Sequence, residues 1–245
     1  MKLSIVIPAF NEQRFLPRCL ASIDAARAEL GAACETAGLA LEVVVCDNNS
    51  TDATAELARA AGARVVFEPV NQISRARNAA ARAARGDWLL FIDADSRLHA
   101  ATLAEMLRAA RSGRFVGGGA RVQLDGAPWW GRCCVAVWNG ISRTCNWAAG
   151  SFLFCRADVF QQLGGFSEEY YAAEELELSS RLKRWGRSQG LRFVILRGQP
   201  HVSSGRKFEL YSTREILTHV IRSLLRYGHT VRSKKELDFY YDGRR

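Results

Sequence analysis

The chain has 245 residues, 48% of them hydrophobic and 24% charged, with 34 Lys and Arg against 25 Asp and Glu for a formal charge of +9. That length suffices for a full hydrophobic core, and the composition excludes a disordered or fibrous chain. The basic surplus favours an anionic partner such as a nucleotide, a phospholipid surface or nucleic acid, without choosing among them.

Seven cysteines, at 19, 34, 46, 133, 134, 145 and 155, form no Cys-x-x-Cys pair and leave one over. Neither a zinc knuckle nor a disulfide framework is indicated, and a reducing compartment is the simpler setting. The apolar run at the N-terminus is too short for a signal peptide and is closed by Pro8. The stretch closest to a membrane span, Cys133 to Cys155, contains Asn139, Arg143 and Asn146, so no spanning helix is expected. The expected location is cytoplasmic.

Taken in order, Leu3 to Ile7 reads as a strand buried on both faces, stopped by Pro8-Ala-Phe-Asn-Glu. A helix follows over Arg14 to Leu30, then a second strand over Leu41 to Cys46 that ends at Asp47. Asn48-Asn-Ser-Thr-Asp is a turn and cap cluster leading to a helix over Ala53 to Ala61. Arg64 to Phe67 is a third strand, Ser74 to Arg85 a third helix and Trp88 to Asp93 a fourth strand. Alternating strands and helices predict a parallel sheet with right-handed crossovers. Ligands of such sheets sit at the carboxyl ends of the strands, where Pro8 to Glu12, Asp47 and Asp93 to Asp95 all fall.

The run WLLFIDADS is the centre of this reading. Residues two apart on a strand share a side, so Asp93 and Asp95 present two carboxylates together at the rim. Mg²⁺ or Mn²⁺ takes one or two carboxylates plus substrate phosphates. Asp47 either accepts hydrogen bonds from a base or ribose or closes a turn. Arg77 either holds a diphosphate through paired donors or lies, like Arg75, on a solvated helix face. Neither Gly-x-Gly-x-x-Gly after a strand nor Gly-x-x-x-x-Gly-Lys-Ser/Thr occurs, which leaves phosphate binding to metal and arginine. The glycines at 117 to 119 read instead as a strand with close backbone approach.

Beyond Leu98 come a helix over Ala101 to Arg111, a strand over Phe115 to Leu124, and a tryptophan- and cysteine-rich stretch from Trp129 to Trp147. Most of its rings are expected in the core, although such a surface can also cover a sugar or touch a bilayer. A strand over Gly150 to Cys155 and a helix over Arg156 to Leu163 precede Ala172-Ala-Glu-Glu-Leu-Glu-Leu. Carboxylates in a first helical turn are favoured by the helix dipole and can also take a proton from an attacking hydroxyl. A strand over Arg192 to Leu196 leads to a loop carrying His201, Arg206 and Lys207. Residues 213–227 have an apolar stripe flanked by arginines, fit for core, a homodimer seam or an anionic membrane.

Five segments in order, SIVIPAFNE, VVVCDNNSTD, ARNAAARAARGDWLLFIDADS, AAGSFLFCRADVFQQLGGF and EELELSSRLKRWG, resemble the family 2 glycosyltransferases of the GT-A fold. The resemblance covers most of residues 1–186. It implies an α/β fold in which a mostly parallel, Rossmann-like nucleotide-binding sheet with helices on both faces merges with a smaller mixed region. One domain over 1–245 would divide into a nucleotide-sugar half (1–98), an acceptor and catalytic half (99–205) and a C-terminal helix with a basic tail (206–245). The implied activity is inverting transfer from a nucleotide-diphosphate sugar to a hydroxyl on a saccharide, lipid-linked or small-molecule acceptor, with Mn²⁺ or Mg²⁺ as cofactor; Asp47 with the Asn-Asn-Ser that follows is compatible with uracil, which favours a UDP-sugar without excluding guanine or thymine.

Carried over by position, Pro8, Ala9, Phe10, Asn11, Glu12, Asp47, Arg77, Asp93 and Ala94 would bind the donor; apart from the resemblance, Arg206 and Lys207 in the loop after His201 are placed to close over its diphosphate. Asp95 would hold the metal, and His201 stands where some relatives place a further ligand. The family's Glu-Asp pair has the base as its second member; here Glu175 takes that place and Glu174 would orient the acceptor. Glutamate for aspartate is a departure that lengthens the catalytic side chain. Two competitors remain at this stage. A nucleotidyltransferase is expected to carry a glycine-containing basic loop after the first strand, and PAFNEQRFLP has no glycine. A non-catalytic membrane or nucleic-acid module ranks last, because no aromatic-basic recognition motif appears, and no nucleic-acid partner is expected.

Overall fold

The computed structural model describes residues 1–36, 38–149, 151–210 and 215. The helix expected over 213–227 and the basic tail lie outside the described residues. Four β-branched runs become β1 (Lys2–Ala9), β2 (Ala40–Asp47), β3 (Arg64–Phe67) and β4 (Trp88–Ile92). They are mutually parallel in the order β3-β2-β1-β4. The crossovers are α1 (Leu16–Thr36), α2 (Thr54–Ala60) and α3 (Ile73–Ala83). The chain moves outward from β1 to β3 and then returns to the other side of β1, so the switch point where such sheets bind ligands lies between β1 and β4.

The remaining half joins the same sheet. After α4 (Ala100–Arg111) come β5 (Phe115–Asp125), α5 (Trp129–Cys145), β6 (Phe152–Arg156), α6 (Ala157–Gln162), α7 (Glu174–Ser188), β7 (Arg192–Ser204) and the short α8 (Lys207–Leu210). The seven strands run β3-β2-β1-β4-β6-β5-β7, and only β6 is antiparallel to its neighbours. Period-two alternation divides the core between the two faces of this sheet. On one face Leu3, Ile5 and Ile7 meet Leu16, Leu20 and Ile23 of α1 and Leu103, Met106 and Leu107 of α4. On the other, Val6, Val44 and Cys46 meet Ala76 and Ala80 of α3 and Leu178 and Leu182 of α7.

Two expectations are corrected. The last strand continues to Ser204 because β5 keeps pairing with it, through Val122↔His201 to Asp125↔Ser204; His201 therefore lies in a strand, not a loop, and α8 begins at Lys207. The tryptophan stretch forms α5, and none of Trp129, Trp130, Trp138 and Trp147 is buried.

Candidate active site

The rim is built by register. Ala9 sits opposite Asp47 on β2, and Val6 opposite Phe91 on β4, so the residues leaving β1 and β4 emerge side by side. There a cleft of about 340 Å³ is lined by Pro8, Ala9, Phe10 and Glu12 from the first rim loop and by Asp93, Ala94 and Asp95 from the fourth strand's end. Arg77, Glu174, Glu175 and Arg206 complete the expected residues that it gathers. The carboxylates of Asp93, Asp95 and Glu175 thus face one shared space.

Arg77 organises the floor. It is 2% exposed and donates from Nη1 to Glu174 Oε1 at 2.6 Å and from Nη2 to Asp93 Oδ1 at 2.9 Å. Its guanidinium also lies over the Phe166 ring, 5.4 Å from the centroid. Burial works against its charge, but Asp93 and Glu174 outweigh that and raise its pKa. Besides lining the cleft, Arg77 ties the Asp-x-Asp turn to the start of α7. Such paired, charge-assisted bonds hold orientation strongly.

Helix α7 begins under strain. Ala173 sits in the left-handed region at φ 61°, which a residue with a Cβ seldom adopts. The bend delivers Glu174 and Glu175 to the cleft in the first turn, where the helix dipole favours acids. Glu174 is buried, and burial, reinforced by the neighbouring Glu175 charge and opposed by Arg77, pushes its carboxyl up to about 8. Glu175 is partly open to solvent. The two acids thus have different surroundings, one locked to an arginine and one facing the cleft.

Arg206 bridges Glu12 and Asp95. It donates to both Glu12 oxygens at 2.8 and 2.6 Å, and its Nε lies 3.2 Å from Asp95 Oδ2. Among the described residues, no group of three or more His, Cys, Asp or Glu is placed to hold a metal. The donor set at Asp93 and Asp95 nevertheless fits a hard divalent ion whose remaining positions are filled by substrate phosphates. It does not make a closed protein cage.

Three expected residues stay outside the lining. Asp47 accepts from the Ser50 N–H at 3.0 Å, closing its own turn. Asn11, in the left-handed region at φ 52°, accepts the Thr51 N–H at 2.8 Å and tethers the two rim loops. His201 is fully buried with its ring 5.0 Å from that of Phe152, and burial drives its pKa down to about 3. The cleft also recruits Asn48, Asn71, Ile73, Ser151 and Tyr171. Ser151 arrives because β6 runs antiparallel beside β4, with Phe152 opposite Ile92. Tyr171 follows a segment held by Gln72, whose side chain donates to the Glu168 and Tyr170 carbonyls at 2.7 and 3.1 Å. Only the turn cluster at Asn48 had a local signal.

Together these features define an α/β protein with a carboxylate-edged cleft at the switch point of a mostly parallel sheet. The family model described as Glycosyl transferase family 2 matches residues 4–151, and the chain belongs to that family. An uncharacterized glycosyltransferase of Mycobacterium tuberculosis is 33% identical over 126 residues, 51% of this chain and 51% of that protein. An undecaprenyl-phosphate 4-deoxy-4-formamido-L-arabinose transferase of Pseudomonas aeruginosa is 33% identical over 134 residues, 51% of this chain and 37% of its own length. These matches span about half or less of the curated relatives. The solved mannosyltransferase PcManGT of Pyrobaculum calidifontis, in complex with GDP-Man and Mn²⁺, has a TM-score of 0.63 at 19% identity, covering 90% of this chain and 60% of that one. That likeness is one of GT-A fold.

Proposed function

We propose that the cleft transfers a sugar from a nucleoside-diphosphate donor to an acceptor hydroxyl with inversion, using Glu175 as general base. The observation that carries this reading is the convergence of Asp93, Asp95 and Glu175 on one cleft at the switch point. The acceptor oxygen bonds to the anomeric carbon as the bond from that carbon to the diphosphate breaks. Glu175 takes the hydroxyl proton, and the nucleoside diphosphate departs with the bonding electrons. A single displacement of this kind inverts the carbon.

Asp95, backed by Asp93, would hold the divalent ion, whose chemistry is to neutralise charge on the leaving diphosphate. Glu174 keeps the first turn of α7 in place through Arg77, a positioning role. Arg206, already beside Asp95, is placed to meet the diphosphate. His201, buried and absent from the cleft lining, is not assigned to the metal. The preference for uracil rested on Asp47, whose carboxylate closes a turn, so the donor is assigned by class only. The likeness to an undecaprenyl-phosphate 4-deoxy-4-formamido-L-arabinose transferase of Pseudomonas supports a lipid-linked acceptor. Family membership disfavours the nucleotidyltransferase and the non-catalytic module.

The test pairs two variants. Glu175→Gln is expected to bind donor with unchanged affinity by calorimetry and to lose transfer by about 10²–10⁴-fold, the usual worth of a general base. Asp95→Ala should remove the metal dependence of donor binding. A Glu175→Gln enzyme turning over at the wild-type rate overturns the base assignment.

A further inference from the structure

Among the described residues, the exposed large hydrophobics are Phe67, Val70, Trp129, Val137 and Ile141, and three of the five lie on α5. Trp129, Cys133, Val137 and Ile141 recur at every fourth position, so they share one helix face. Trp129 is 77%, Val137 65% and Ile141 43% exposed, and Cys133 is exposed too. The helix has no Asp or Glu, and its two charges, Arg132 and Arg143, are both exposed. A water-facing apolar stripe flanked only by arginines is the pattern of a helix that lies in a lipid headgroup layer.

A second hollow, of about 260 Å³, adjoins the start of this helix and is lined by Arg14, Arg18, Arg97 and Arg206, with Asp95 and Asp125. Asp125 pairs with Arg97, and Asp95 with Arg206. Arg14 and Arg18 are exposed and have no salt bridge among the described residues. Asp125 and Gly126, on the wall of the hollow, lead through Ala127 and Pro128 into Trp129. Arg132 is folded back to the same end, its Nε donating to the Ala127 carbonyl at 3.2 Å.

We propose that the outer face of α5 and the arginine-lined hollow at its beginning form one docking surface for an anionic phospholipid bilayer, the stripe entering the headgroup layer and Arg14, Arg18 and Arg132 meeting lipid phosphates. Charge selects this occupant over a second copy of the chain. A self-contact across this face would set arginines against arginines with no acid on the helix to offset them, whereas anionic headgroups neutralise all of them. The surface is also joined to the cleft. Lys183 of α7 donates to the Cys145 carbonyl at 2.8 Å and lies 5.6 Å from the centre of the Trp147 ring, four residues before the cleft residue Ser151.

The test is co-sedimentation of the full chain with vesicles of phosphatidylcholine alone or mixed with phosphatidylglycerol. Enrichment on the anionic vesicles that fades with added salt is expected. The double variant Val137→Ser/Ile141→Ser should weaken that partition by about tenfold or more through lost apolar burial, and Arg14→Ala/Arg18→Ala by roughly 25-fold, about fivefold per charge. Both should keep the wild-type melting temperature and donor hydrolysis, so failure here is separable from failure of the transfer reading. Equal binding to neutral and anionic vesicles, or wild-type binding by either double variant, overturns the proposal. So does a wild-type dimer in gel filtration that Val137→Ser/Ile141→Ser converts to monomer, which would make the stripe a seam between copies.

Discussion

Arg77 and His201 solve the same problem, a polar group in the interior, in opposite ways. Arg77 keeps its charge by gathering Asp93 and Glu174 around it, as a buried ion must. His201 has neither ring nitrogen hydrogen-bonded among the described residues, and it stays neutral: burial lowers its pKa to about 3 from 6.5, with Asp93 opposing. The sign of the linkage follows. The stability that His201 contributes is complete above its unfolded pKa of 6.5 and is lost as pH falls from there toward about 3. The loss can reach about 1.4 kcal/mol per pH unit in that window. His201→Leu is expected to flatten the acid limb of melting temperature against pH between 6.5 and 4. An acid limb parallel to that of the wild type would show that this histidine is not the sensitive group.

At the scale of elements, β5 shows why a strand tolerates three successive glycines. A Cβ on Gly118 would run into the Val194 carbonyl oxygen of β7 and come within 2.7 Å of the Phe154 ring of β6; one on Gly117 would strike the Phe154 carbonyl oxygen. The strand lies between two neighbours with no room for a methyl group, and its own β-propensity is sacrificed to that fit. Gly118→Ala should therefore destabilise the protein by about 1–3 kcal/mol, the range for overpacking, measured as a lower denaturant midpoint with an unchanged slope. A neutral substitution would mean that the sheet can open there. Close approach at residues 117–119 was legible beforehand, since the run is too far from the first strand to serve as a nucleotide loop. The extension of β7 was not, because Gly198 and Pro200 read locally as a break and only pairing with β5 carries the strand past them.

The whole molecule unites the two expected halves in one sheet, so the cleft draws lining from residues 8–10, 12, 48, 71, 73, 77, 93–95, 151, 171–175 and 206. A ligand that bridges these segments stabilises all of them together. At a hundred times its dissociation constant it adds about 2.7 kcal/mol, which for a chain of this size corresponds to roughly 5–10 °C in melting temperature. A screen of nucleoside-diphosphate sugars with Mn²⁺ is expected to find at least one that produces such a shift, and chelation of the metal should erase it. Flat melting curves across the screen would remove the donor site. Among the described residues, no helix is long and apolar enough to cross a membrane.

Local pattern was enough to locate the strands, the carboxyl ends of the first four and the acids on them, because strand period, β-branching and the abrupt polar stop after Ile92 are properties of neighbouring residues. The ordered segments also carried the family. What became of each side chain at the rim depended on residues far away in the chain. The partner that α7 brings against Arg77, Glu174, lies 97 positions later in the chain. Asp47 could be read as facing a ligand or, slightly favoured by spacing, its own turn, and Ser151 and Tyr171 had no mark at all. The tryptophans of α5 read as core because large aromatic side chains are mostly buried, and only the packed molecule decides whether the face that carries them meets protein or solvent. Hydrophobic pattern is written along the chain, whereas burial, ion pairing and the pKa shifts that follow from them arise between segments and are settled when those segments meet.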